Sequence, residues 1–372
     1  MAEMMQNRCS SCFEPKGSPG PCPVCGWDAE NPGPQSTQRL KPGTILNGVY
    51  AVGKVLGQGG FGITYLAWDL HGGRKVAIKE CFPDNPRAER TTDGRTVTCS
   101  GTDRGEKALF EAAVAKFIQE ASTLSQFYRE PEIVKVLGVF RENNTAYMVM
   151  EYLEGHSLAE EIRRMKRLPA ERVEEVALSV CRGLKAVHGK GILHRDVSPD
   201  NIFVTDGGAI KLIDFGTARD MGGNRTLTVN LKHGYAPKEQ YTGRNQGPWT
   251  DIYALGATLY RALTGKMPPR AEEREVDDGI RSPSELGLKL PERLEGAVMK
   301  ALSVEIEDRF GDVGEFVEAL TDGEVTLEEG SEDEEDLYTQ KTVWYRGPEK
   351  TVVEERKEPV TKTASSGKSV DP

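Results

Sequence analysis

Between Tyr50 and Asp69 apolar and polar positions alternate, the period-two pattern of half-buried strands, until Gly57-Gln58-Gly59-Gly60-Phe61-Gly62 interrupts them. Ile63-Thr64-Tyr65-Leu66-Ala67-Trp68 continues in β-branched and aromatic residues, His71-Gly72-Gly73 reads as a turn, and Val76-Ala77-Ile78-Lys79 as another strand. The pattern predicts strand, glycine loop, strand, turn, strand. Phe117 to Leu124 has the spacing of an amphipathic helix, and Tyr147-Met148-Val149-Met150 that of a core strand. Pro83 to Lys107 is polar with Pro and Gly, which predicts a hairpin or loop. From Asn31 the chain turns to Pro, Gly, Gln, Ser and Thr, a linker composition, so whatever precedes it is expected to be tethered rather than packed on the main core. Beyond Asp322 acidic residues dominate, then Thr, Lys, Glu and Val; such a stretch buries too little apolar surface to offset its ordering entropy and reads as disordered.

Length and charge narrow the classes. With 372 residues the chain has room for two domains, or one two-lobed domain with appendages. A net charge of -10 argues against non-specific binding to nucleic acid or anionic membrane. No apolar run approaches the ~18 residues of a membrane span, and no basic-then-apolar leader opens the sequence, so a soluble cytoplasmic protein is expected. Seven cysteines, an odd number, do not read as a disulfide framework. Four of them form two pairs, Cys9-Ser-Ser-Cys12 and Cys22-Pro-Val-Cys25, which together offer four thiolates for tetrahedral zinc. A thiol redox site or an iron site are the competing readings. The segment resembles a small zinc ribbon, and one this short would draw most of its folding free energy from the metal.

Taken alone, Gly-x-Gly-x-x-Gly is shared by dinucleotide folds and by hairpins that cover a nucleotide. A dinucleotide site needs a helix directly after the glycines, and here a strand follows. The hairpin with Val76-Ala77-Ile78-Lys79 resembles the N-lobe of protein kinases, and the other landmarks arrive in that family's order. His194-Arg195-Asp196 with Asn201 looks like the catalytic loop; Asp214-Phe215-Gly216 follows, then Ala236-Pro237-Lys238-Glu239, Asp251 to Gly256, and Arg309. The wording around Gly59 to Tyr65 and Gly234 to Tyr241 further resembles bacterial eukaryotic-like serine/threonine kinases.

The resemblance implies roles. Gly57, Gly59 and Gly62 let the backbone close over phosphates, with Leu56, Gln58, Gly60, Phe61 and Thr64 completing the cover. Lys79 holds the α and β phosphates and is positioned by Glu120, with Glu111 as the fallback. Asp196 accepts the acceptor hydroxyl's proton or orients that hydroxyl for in-line attack, while Asn201 and Asp214 hold Mg²⁺. Met150, Glu151 and Leu153 form the adenine edge, between Ala77 and Phe203. His194 is read as a packing residue, stacked with Phe215, Leu124 and Val136 over Asp251, and Glu239 with Arg309 as a buried ion pair. Arg195 and Arg219 can clamp a phosphothreonine at Thr226 or Thr228. Thr339, Thr342 and Thr351 are candidate docking sites for a phosphothreonine-reading partner, and Val343-Trp344-Tyr345 a candidate docking motif.

One departure stands out. Kinases of this type usually carry Lys two residues after the catalytic Asp, braced by a Thr on a later loop; here the positions read Asp196-Val197-Ser198 and Leu231-Lys232-His233-Gly234. Lys232 or Lys238 is the candidate substitute. The departure also keeps a pseudokinase or ATP-binding scaffold open as the alternative, with a small-molecule phosphotransferase as a third reading. The expected fold is α+β: a zinc ribbon (1–30), a linker (31–47), a two-lobed kinase fold (antiparallel β-rich N-lobe 48–151, helical C-lobe 152–321) and an acidic disordered tail (322–372).

Overall fold

The computed structural model describes residues 7–33, 36–84, 87–99, 104–215, 219–220 and 232–327. Thr226, Thr228, Gly216 and the tail beyond residue 327 lie outside them.

The alternating segments form the strands their pattern predicts. β1 (Ile45–Leu46), β2 (Tyr50–Gly59), β3 (Gly62–Asp69), β4 (Arg74–Cys81), β7 (Val136–Glu142) and β8 (Thr145–Glu151) make one antiparallel sheet in the order β1-β2-β3-β4-β8-β7. Helix α1 (Arg104–Leu124) contributes Phe110, Val114, Phe117 and Ala121 to the core of this lobe. The inserted stretch is a hairpin of β5 (Ala88–Arg90) and β6 (Val97–Cys99). It is pinned structurally: Arg90 Nη2 reaches Glu80 Oε2 at 2.7 Å with both side chains fully buried, and Tyr65 and Tyr147 donate to the same carboxylate. A buried carboxylate with this many donors is one whose desolvation is compensated.

After β8 the chain crosses to the second lobe through β9 (Gly155–Ser157) into α2 (Leu158–Met165), whose start is fixed by a capping box between Ser157 and Glu160. The lobe is built on α3 (Ala170–Gly189) and α5 (Pro248–Thr264), a helix buried along most of its length, with α4 (Lys238–Thr242), α6 (Ala271–Arg274), α7 (Glu292–Ala301) and α8 (Val313–Thr321) around it. Short strands lie on its face toward the sheet: β10 (Ile192–Leu193) pairs with β13 (Arg219–Asp220), and β11 (Ile202–Thr205) sits between β9 and β12 (Ile210–Leu212). Among the described residues no helix is long and apolar enough to cross a membrane.

Two expectations are corrected. The segment 31–47 is not simply a linker: Leu40 and Leu46 are buried in the N-lobe core, and the Leu40 amide donates to Tyr65 Oη at 3.2 Å. Nor is the cysteine segment merely tethered. Phe13 is fully buried in a second cluster with Ala51, Leu66, Trp68 and Leu70 on the outer face of the sheet. The Lys54 amide donates to the Ser11 carbonyl at 2.8 Å, Arg8 lies 4.3 Å over the Trp68 ring, and Lys75 Nζ pairs with Glu14 at 2.5 Å. The physical reason lies in β3, which is buried on both faces: Ile63, Tyr65 and Ala67 enter the main core, while Leu66 and Trp68 need a cover that Phe13 supplies.

Candidate active site between the lobes

The cleft is roofed by the β2–β3 hairpin, where Gly57 pairs with Thr64, Gln58 with Ile63 and Gly59 with Gly62. Its glycines differ in purpose. A Cβ on Gly57 or Gly59 would meet nothing within 4 Å, so their bareness is not a packing requirement, whereas a Cβ on Gly62 would collide with the Glu80 carbonyl. Gly62 is therefore a close-packing glycine, and Gly57 and Gly59 leave backbone open to the cleft. Leu56 and Phe61 are exposed at the same edge. Ala77 and Met150 are register partners across β4 and β8, and Glu151 ends β8 with its carboxylate accepting from Lys211 Nζ and the Lys135 amide, both at 2.9 Å. Leu153 follows in the crossing segment, and Phe203 lies in β11 below.

On the floor, the catalytic-loop residues are held by a buried carboxylate. Asp251 of α5 accepts the His194 amide at 2.9 Å, the Arg195 amide at 2.7 Å and a contact from His188 Nε2 at 2.8 Å. Arg195 takes a positive φ of 63°, and these bonds hold it there. The His194 ring packs against that of Phe215, centroids 4.2 Å apart and planes tilted by 44°, with Leu124 and Val136 buried in the same core; burial pushes its imidazole down to about 4, so it is neutral packing material.

Asp196 is held at both ends. Asn201 Nδ2 donates to its Oδ2 at 2.7 Å and to its carbonyl at 2.8 Å, and Lys232 Nζ lies 3.3 Å from its Oδ1. Burial pushes the carboxyl up to about 6; Lys232 opposes the shift and Asp214 adds to it. Lys79 Nζ pairs with Asp214 Oδ1 at 2.5 Å. The expected Lys79–Glu120 ion pair is not formed among the described contacts: Glu120 acts on Lys79 only at longer range, and burial pushes its carboxyl up to about 8. Asp214, at φ 58°, reaches the ammonium first. Arg219 is placed by its backbone register opposite Leu193 in the β10–β13 pair. Glu239 and Arg309 form the buried pair at 2.7 Å, with Thr250 Oγ1 donating to the same carboxylate, which fixes the Ala236-Pro237 segment to the helical lobe.

At the far end of the chain, the four cysteine sulfurs lie within 4.8 Å of one another, with Cys9–Cys25 and Cys12–Cys22 each at 3.7 Å. That is far beyond a disulfide and close to the edge of a tetrahedron with metal–sulfur bonds of about 2.3 Å, which is roughly 3.8 Å.

The protein kinase domain family matches residues 50–308. The chain belongs to that family. A probable serine/threonine-protein kinase of Clostridium perfringens is 28% identical over 80% of this chain and 42% of its own. Serine/threonine-protein kinase PknA of Nostoc sp. is 30% identical over 76% of this chain and 48% of its own. The chain thus spans less than half the length of these curated relatives. A solved structure described as "PpkA-294 apo form" is 34% identical, with a TM-score of 0.64, covering 76% of this chain and 99% of the other. Membership of the kinase family implies ATP and Mg²⁺, and the oxygen donors of Asp196, Asn201 and Asp214, beside Lys79, form a donor set suited to a hard cation and a polyphosphate.

Sequence reasoning did not anticipate Lys79 choosing Asp214, nor Phe13 as a docking residue. The second had a signal: Tyr65 to Trp68 is apolar at every position rather than alternating.

Proposed function

We propose that this kinase-family chain transfers the γ-phosphoryl group of ATP to Ser or Thr hydroxyls of proteins. The observation carrying the reading is that Lys79, Asp196, Asn201 and Asp214, spread through the sequence, meet beneath a hairpin whose Gly57 and Gly59 leave backbone bare to the cleft. In this reading Asp196 orients the acceptor hydroxyl; its oxygen bonds to the γ-phosphorus as the bond to the β–γ bridging oxygen breaks, the hydroxyl proton passes to the Asp196 carboxylate, and ADP leaves. Asn201 and Asp214 would hold Mg²⁺, which when bound would supply charge neutralisation at the phosphates. Leu56, Ala77, Met150 and Phe203 enclose the adenine, with the Glu151 carbonyl and Leu153 amide as its hydrogen-bonding edge.

The four cysteines hold a structural Zn²⁺, supported by an all-thiolate donor set at tetrahedral spacing. Arg195 and Arg219 receive a phosphorylated Thr226 or Thr228, and tail threonines supply docking sites for a phosphothreonine reader.

Phosphopeptide mapping after incubation with Mg-ATP, wild type against Asp196→Asn, tests the central claim. Phosphate on Ser or Thr only in the wild type is expected. Equal incorporation in both, or none in a wild type shown to bind ATP, rejects it.

A further inference from the structure

The catalytic loop lacks the lysine that ordinarily meets the transferring phosphate, and Ser198 stands in its place. Ser198 is fully buried and carries no charge to offer a phosphate. Its Oγ accepts from Lys232 Nζ at 2.8 Å, and the same ammonium lies 3.3 Å from Asp196 Oδ1. Lys238, the other candidate, is turned away: it binds Glu305 at 2.7 Å and Glu275 at 3.4 Å.

We infer that Lys232 is the phosphate-contacting cation of this site, and that it and Ser198 have exchanged places with the usual lysine and hydroxyl. The inference rests on the kinase reading above. In the usual arrangement the catalytic loop carries the ammonium and the later loop the hydroxyl that braces it; here the later loop carries the ammonium and the catalytic loop the brace. The pair, its hydrogen bond and its contact with the catalytic carboxylate are all retained.

Four further features support the exchange. The Lys232 carbonyl accepts from the Tyr235 and Ala236 amides at 3.0 and 3.2 Å, so the backbone that carries the ammonium is held in a turn. That turn is seated: Tyr235 is buried and its hydroxyl accepts from Arg261 Nη1 at 2.5 Å. Lys79 and Lys232 each pair with a different acid, Asp214 and Asp196, so Lys232 is the cation that stands beside Asp196. A third of the Lys232 side chain is exposed, and its ammonium sits beside the Asp196 carboxylate. A preplaced cation where negative charge develops is the arrangement that lowers a phosphoryl-transfer barrier without reorganisation.

The test uses the full chain and four variants: Lys232→Ala, Lys232→Arg, the exchange variant Ser198→Lys/Lys232→Thr, and Asp196→Asn as the inactive reference. Thermal melts establish that each is folded. Lys232→Ala is expected to lower kcat by tenfold to a thousandfold, the range for losing one such contact, with the KM for ATP changed less than about threefold. Lys232→Arg keeps part of the activity, and the exchange variant recovers at least tenfold over Lys232→Ala. A readout independent of turnover is binding of Mg-ADP with aluminium fluoride, a mimic of the transferring phosphoryl: Lys232→Ala should weaken it tenfold or more while leaving Mg-ADP affinity within twofold. A wild type that transfers phosphate while Lys232→Ala stays within about twofold, with unchanged aluminium fluoride binding, overturns the inference and leaves the kinase reading intact. A folded exchange variant no better than Lys232→Ala overturns the exchange. A wild type no better than Asp196→Asn overturns the kinase reading and this inference with it.

Discussion

Replacing Phe13 with Ala should release the cysteine module from the sheet without unfolding the kinase lobes. The ring is fully buried against Leu66, Trp68 and Leu70, with its centroid 5.9 Å from that of Trp68. Burying an aromatic side chain of roughly 150–250 Å² at about 25 cal/mol per Å² contributes about 4–6 kcal/mol as an upper bound. The other junction contacts are smaller. A backbone hydrogen bond such as Lys54 to Ser11 is worth about 1 kcal/mol net, a cation–π contact such as Arg8 on Trp68 about 0.5–1, and a partly exposed ion pair such as Lys75–Glu14 about 0–1. Phe→Ala in a packed site costs about 3–5 kcal/mol, so most of the docking free energy goes with the ring. The Lys54 amide reads the loss directly, because its acceptor is the Ser11 carbonyl across the junction at 2.8 Å. At about 1.4 kcal/mol per factor of ten, its hydrogen-exchange protection should fall by at least a hundredfold, while the Val97 amide, bonded to Asn143 away from the junction, is unchanged. Gly53→Ala attacks from the other side: its Cβ would lie 2.6 Å from the Phe13 ring and clash with the Ser11 carbonyl. A Lys54 amide whose exchange shifts less than about tenfold in Phe13→Ala, together with an unmoved module in Gly53→Ala, would refute the reasoning.

Two further outcomes follow from the sites. Stripping metal with a thiol-tolerant chelator should release one zinc per chain by elemental analysis and raise exchange of the amides around Cys9 and Phe13, because a segment of this length has little core of its own; full protection retained without metal would remove zinc from the fold. With the Asp196 carboxyl raised to about 6 by burial, its proton-accepting form is lost as pH falls through that value, so kcat/KM should drop tenfold per pH unit on the acid side. Lys232 opposes the shift, so Lys232→Ala should move that limb upward; a rate flat down to pH 5 in the wild type would exclude the titration.

Local sequence determined the parts whose chemistry is set within a few residues. The glycine hairpin and the two Cys-x-x-Cys pairs were legible from pattern and spacing, and His194-Arg195-Asp196 with Asn201 and the Asp214-Phe215 step from their resemblance to the kinase motifs; each needs only a turn or one strand to aim its groups. The stretch at residues 83–107 was legible as a hairpin or loop, but neither the hairpin itself nor its buried anchor was, because Arg90 finds Glu80 only in the folded lobe. Tertiary structure alone decided which acid Lys79 meets, since Asp214 and Glu120 compete for one ammonium and their distances depend on how the lobes and α1 sit. It also chose Lys232 over Lys238: both lie near the same loop in sequence, but the turn at Tyr235 aims one at Asp196, and Glu305 captures the other. Phe13 is the clearest instance. A phenylalanine in a short polar segment carries no periodicity to say what it covers, and its partner is defined only when β3 has one apolar face turned to the core and a second left to bury.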